Sequence, residues 1–162
     1  MAARLFSDTR GAAIVEFALA ATFIFMVLLP FADYALYASS RKDMEEAVYR
    51  AALYAVANPD AIDAQTLTRY INANHEEGEE PLTVTIKCNG GDCSNTSRTT
   101  LCLDGSSSGP VFSSPAEGEC AGGDAPGYFI TISARSTYSA LLGAGSALHG
   151  EPVAATLTAR LQ

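Results

Sequence analysis

Apolar positions along the chain change their period twice, and each change marks a different kind of element. Over 12–32 they are almost continuous. Residues 17–32 are apolar or small apart from Thr22 and Pro30, and 12–15 extend the run with Glu16 as the interruption. About twenty such residues at 1.5 Å rise match a bilayer core of ~30 Å, so a membrane-spanning helix is predicted there. Pro30 predicts a kink or a loosened turn within it. Over 40–57, SRKDMEEAVYRAALYAVA, the period becomes helical: Met44, Ala47, Val48, Ala51 and Tyr54 or Ala55 recur on one face. The helix is therefore expected to continue past the membrane and pack that face on a following domain. Asn58-Pro59 ends it. Asp60 is the expected N-cap of a second, shorter helix over about 61–72, with Ile62, Leu67, Tyr70 and Ile71 apolar.

From Pro81 the period becomes two. Leu82, Val84, Ile86 and Cys88 alternate with Thr83, Thr85 and Lys87, as in a half-buried strand. Asn89-Gly90-Gly91-Asp92 has turn chemistry. A return strand is expected over 98–103, and a long irregular loop over the Gly-, Ser- and Pro-rich 104–127. Strong strands are expected over 128–138 and 153–161. Helices first and strands afterwards indicate an α+β fold: a long N-terminal transmembrane helix extended into an exported domain with a short second helix and a small antiparallel sheet.

Composition narrows the function. Only 17% of the 162 residues are charged, against ~25% in a typical soluble domain. The net charge is −8 and the ten Lys and Arg are scattered. Nucleic-acid binding needs clustered cations, so it is set aside. The two cations ahead of the apolar run, Arg4 and Arg10, put the N-terminus in the cytoplasm and the rest outside by the positive-inside rule. All four cysteines fall in the outward part, where two disulfides are the natural reading. Four cysteines allow three connectivities. The favoured one joins Cys88 to Cys93, closing the Gly-Gly turn, and Cys102 to Cys120, tying down the long loop.

Glu16 is the anomaly. A carboxylate in a membrane helix costs about 2.5–3.5 kcal/mol on insertion scales, which makes it a functional-site candidate. A secretory signal peptide does not want a glutamate inside its apolar run, and no convincing A-x-A site follows directly. Cleavage after Gly11 would make Ala12 the first residue and Glu16 the fifth. The new α-amino group of one subunit could then meet the Glu16 carboxylate of a neighbour in low dielectric. The alternative is an unprocessed anchor whose Glu16 snorkels to the cytoplasmic interface.

A short basic leader, Gly11, four residues, Glu16, the aromatic Phe17 and an apolar helix together resemble a prepilin peptidase site. The run RGAAIVEFALAATF is similar to the TadE-like family of the tight adherence (Tad/Flp) pilus system, whose members are pseudopilins or minor pilins. The resemblance covers roughly 10–60. The tail, with its Tyr-Ser pair, small-residue loop and closing strand ending in Ala-Arg, resembles the family more loosely. The resemblance implies a structural subunit and no enzyme. Its partners would be a prepilin peptidase, other pilin-like subunits and inner-membrane lipid, and it would start, cap or regulate a Tad pilus.

Other chemistry is weaker. Gly105 to Gly109 matches G-x-S-x-G, but a nucleophile elbow needs a strand before and a helix after, and Pro110 with more loop follows. His75 and His149 have no catalytic context. The acidic connector 75–80 lacks a calcium-loop pattern, and Asn95-Thr96-Ser97 is a sequon of little weight in a bacterial protein. Cysteine spacings of four, eight and seventeen residues do not make two zinc knuckles. No metal or cofactor is expected. The organisation read from the chain is a leader at 1–11, a transmembrane helix at 12–32, an extended helix and second helix at 33–75, and an exported sheet domain at 76–162. The expected location is the bacterial inner membrane, single pass, with the C-terminal domain periplasmic or carried into a surface pilus. The rival readings are a single-pass protein with an exported ligand-binding domain and a secreted hydrolase.

Overall fold

The computed structural model describes residues 9–73, 82–93, 98–106, 109–116, 118–121 and 123–161. The first eight residues of the leader, the acidic connector 75–80 and the sequon 95–97 lie outside the described residues.

Helix α1, Thr9–Ala57, is one continuous helix of 49 residues, about 73 Å at 1.5 Å per residue. It starts ahead of Gly11 rather than at Ala12, and it runs through Pro30 without a break. A proline removes one N–H from the ladder, yet the helical run on both sides is long enough to carry the turn. The chain then makes a 3-10 turn, Pro59–Ala61, and enters α2, Ala64–Ala73. The N-cap of α2 is Asp63, not Asp60. The Asp63 carboxylate accepts from the Gln65 N–H at 3.2 Å, the Thr66 N–H at 3.0 Å and the Thr66 hydroxyl at 2.9 Å. Those donors, Thr66 foremost, hold its pKa below the usual carboxylate range. Proline at 59 commits the intervening residues to the 3-10 turn, which moves the helix start three residues on. Asp60 instead faces Arg98, at 3.2 Å.

Three strands form the main sheet: β1, Thr83–Cys88; β4, Phe129–Thr137; and β5, Pro152–Arg160. All pairings are antiparallel, in the order β1-β4-β5. The register puts Ile86, Ile132 and Leu157 in one row and Val84, Ala134 and Ala155 in the next. This inner face packs under the second half of α1, while Thr83, Thr85, Lys87 and Arg135 of the outer face meet water. One core joins Met44, Val48 and Ala51 of α1, Leu67 and Ile71 of α2, and Ile130, Ile132 and Val153 of the sheet.

The expected return strand is not the partner of β1. Strand β2, Cys102–Ser106, pairs with β3, Gly109–Ser113, as a separate antiparallel hairpin. That hairpin occupies part of what the sequence marks as irregular loop. Its few large apolar residues, Leu103, Val111 and Phe112, are too sparse for a strand signal. Phe112 anchors it, 6.0 Å from the Phe129 ring. The Asn89-Gly90 turn has φ of 50° and 80° and is closed by reciprocal bonds between Cys88 and Gly91, an arrangement suited to Asn-Gly. Phe112 carbon lies 3.2 Å from where a Cβ on Gly90 would sit, so a side chain there would press on the hairpin anchor as well as strain the turn.

Candidate membrane and assembly helix

The first half of α1 has no packing partner. Ile14, Phe17, Phe23, Met26 and Phe31 are all exposed. None of the most apolar window of α1 is buried, and the helix is long and apolar enough to cross a membrane once. A core helix of a soluble domain would bury such a face. The one hydroxyl in the run, Thr22, donates to the Ala18 carbonyl at 2.8 Å and so needs no water.

Gly11, Ala12, Glu16 and Phe17 all lie on this half and all are exposed. Nothing lies within 4 Å of where a Cβ on Gly11 would be. The Gly11–Ala12 bond falls in the first turns of α1, where glycine is about 1 kcal/mol poorer than alanine as a helix former and helix ends fray. Among the described residues Glu16 takes part in no ion pair. It stands as a lone carboxylate on an otherwise apolar, unpacked stretch of α1.

Burial begins abruptly at Asp33. From there one face of α1 turns inward at 33, 37, 40, 44, 47, 48, 51, 52 and 55, a helical stripe with steps of three and four. Tyr54 lies off this stripe, partly exposed, with its ring stacked on Tyr70 at 5.6 Å. Asp33 is the single charged residue buried among the described residues, at 1% exposure. Its carboxylate accepts from the Ser146 hydroxyl in a short contact, from the Leu141 N–H at 2.8 Å and from the Tyr138 hydroxyl at 3.2 Å. The Tyr138 hydroxyl also lies 3.0 Å from the Asp33 carbonyl, and its ring meets Tyr37 edge-on at 5.3 Å. Ser146, then the Leu141 amide and Tyr138, hold the Asp33 pKa below the usual carboxylate range against the opposing pull of burial. In the sequence Asp33 stands out only as the first charge after the apolar run. The signal that could have found it is the lone Asp at that boundary together with the Tyr-Ser pair at 138–139.

A family model described as TadE-like protein matches residues 11–53. Over these residues the chain is similar to the TadE-like family. No curated protein and no solved structure matches the chain. The TadE-like segment includes both the unpacked half of α1 and most of its buried stripe, and it ends before the first strand. Glu16 and Asp33, the two carboxylates at the ends of the apolar run, both fall inside it.

Outside the TadE-like segment the sheet domain is stapled twice. Cys88 is bonded to Cys93, across the Asn-Gly turn, and Cys102 to Cys120, across the hairpin. Sulfurs paired in this way cannot serve as zinc ligands, and no group of three His, Cys, Asp or Glu side chains is placed to hold a metal ion among the described residues. The G-x-S-x-G run ends β2 and begins β3 in the hairpin, with Ser107 and Ser108 outside the described residues, so it is no strand-to-helix elbow. Arg98 ties the α1–α2 corner to the sheet: it donates to the Pro59 carbonyl and lies 5.6 Å over the Tyr128 ring.

Proposed function

We propose that the chain is a pseudopilin or minor pilin, a structural subunit of a Tad pilus machine and not an enzyme. A prepilin peptidase cuts it after Gly11. The mature helix holds the subunit in the inner membrane with the sheet domain in the periplasm, and the same helix packs laterally against other pilin-like subunits. The observation that carries this reading is an unpacked apolar run, 12–32, whose one charge, Glu16, stands five residues after Gly11 inside the TadE-like segment.

The chain's own groups have definite parts in this scheme. Gly11 gives the peptidase close access to the backbone. Cleavage creates an ammonium group on Ala12, and Glu16 of an adjacent subunit accepts its hydrogen bonds. Each charge is costly alone in lipid, and the pair offsets both. Phe17 and the following apolar residues exchange lipid contacts for helix contacts during assembly.

N-terminal sequencing of the membrane-bound protein tests the first step. Ala12 is the expected first residue in cells with a prepilin peptidase. Gly11→Trp should remain full length, and a Gly11→Trp chain shortened as well as wild type would disprove the assigned site. Glu16→Ala tests the second step. It should insert normally but crosslink poorly to other pilin-like subunits, because breaking one half of a buried ion pair typically costs about 3–5 kcal/mol. Wild-type crosslinking and pilus counts in a processed Glu16→Ala protein would reject the charge pair.

A further inference from the structure

We propose that the loop over 139–150 is a foot resting on the outer face of the bilayer, with Leu141 and Leu142 inserted at the level of the headgroups and upper acyl chains. The inference rests on the reading of 12–32 as the membrane span.

The argument begins with depth. Twenty-one residues from Ala12 to Ala32 make about 31 Å of helix, the thickness of a hydrocarbon core. Asp33 therefore stands where the helix leaves the hydrocarbon. The loop is fastened to the first turn of the packed half of α1: its Leu141 amide, Ser146 hydroxyl and preceding Tyr138 all bond to Asp33, and the Tyr138 ring meets Tyr37 one turn further on. Leu141 is consequently held within hydrogen-bonding reach of the level at which the membrane surface begins.

The surface presented there fits lipid. Leu141 is 62% exposed and Leu142 40% exposed, two adjacent leucines that both reach the surface. Around them Ala144, Gly145 and Ala147 are exposed and small. From Ser136 to Leu148 the chain has no Asp, Glu, Lys or Arg, although the protein as a whole carries a net −8. An acidic surface would be repelled by anionic headgroups, and this loop is free of that repulsion. Asp33 itself is buried, and its carboxylate is covered by its three donors. Tyr34, exposed, and Tyr37, half-buried, follow Asp33 within one turn of the helix, and tyrosine is enriched at membrane–water interfaces. A protein partner would not need the leucines to lie level with the exit of the span. A bilayer does.

The chain has no tryptophan, so one introduced indole reports alone. Full-length Leu142→Trp would be placed in phosphatidylcholine nanodiscs brominated either near the headgroup end or near the methyl end of the acyl chains. Phe25→Trp marks the middle of the span and Thr85→Trp the water-facing side of the sheet. Leu142→Trp should lose most of its emission to the shallow bromines and little to the deep ones. Phe25→Trp should show the reverse, and Thr85→Trp should be quenched by neither. Leu141→Trp supplies the same reading should Leu142→Trp fold poorly. An unquenched Leu142→Trp beside a quenched Phe25→Trp would overturn the foot and leave the membrane span standing. A blue-shifted but unquenched Leu142→Trp would place the leucines against protein and overturn it as well. An unquenched Phe25→Trp would overturn the span itself.

Discussion

The two halves of α1 have one backbone geometry and opposite surroundings. From Gly11 to Ala32 no residue of the helix is buried, while from Asp33 onward one face is buried every third or fourth residue. Yet the first half is the more apolar by far. Burial inside a protein therefore does not follow hydrophobicity along this helix. It follows whether the apolar residues form a stripe against polar ones or surround the helix entirely. A stripe selects one neighbour, here the sheet, whereas an all-round apolar surface matches a lipid environment or a bundle of like helices. Asp33 marks the change, and its donors come from the far end of the chain.

Two methionines offer the sharpest way to break this comparison. Met44 is 1% exposed and Met26 is 75% exposed. Met44→Ala should destabilise the sheet domain by about 2–5 kcal/mol, as for a large core residue truncated to alanine. Met26→Ala should leave the same unfolding curve within about 0.5 kcal/mol. Urea unfolding of the full chain in detergent, followed by sheet-domain tyrosine fluorescence, separates them. Equal losses would mean that the first half packs on the domain after all.

A charge probes the same contrast from the other side. Val27→Arg places an unpaired cation mid-span and should lower insertion by about 2.5–3.5 kcal/mol. Tyr49→Arg, on the exposed face of the second half, should insert and fold as wild type. Carbonate extraction of membranes reads both, and a Val27→Arg protein that resists extraction like wild type would argue against a bilayer-spanning first half.

The boundary itself can be loosened more gently. Tyr138→Phe removes a donor to the Asp33 carboxylate, and a hydrogen bond to a charged group is worth about 1.5–3 kcal/mol. The Leu141 and Gly143 amides should exchange faster as a result. Acid should have a related effect. The folded Asp33 pKa is lowered, so the folded state binds fewer protons than the unfolded chain in the window between the two values. Its contribution is present above the unfolded value of about 3.9 and is lost as pH falls through the lower folded value. The tether should hold at neutral pH and release only in acid below about pH 4. Loop amide protection, taken relative to the intrinsic exchange rate at each pH, that is unchanged between pH 7 and pH 3 would contradict that sign.

How much was legible in the sequence depended on whether the signal was periodic. The stripe of Met44, Ala47, Val48 and Ala51, and the alternation of Val84, Ile86 and Cys88, could be read directly because one helix or strand face repeats in the sequence itself. The hairpin β2–β3 could not, since its strands hold few apolar residues and owe their place to Phe112 against Phe129 and to the Cys102–Cys120 bond. The start of α2 was misjudged because Asp60 and Asp63 are both competent caps. Proline at 59 and the pull of Arg98 on Asp60 decided between them.

By itself the sequence determined the elements whose information is local: an apolar run of bilayer length, Glu16 five residues after Gly11, the two helix faces, three strands, and cysteines confined to the part after the helices. The tertiary structure decided what depends on residues distant in the chain. It placed β4 between β1 and β5, and it paired the hairpin with itself. It also gave Asp33 its partners 105 to 113 residues away. The physical reason is that hydrophobic period is written in consecutive residues, whereas a buried carboxylate is stable only where folding happens to assemble enough donors around it. No single stretch of the chain contains that set.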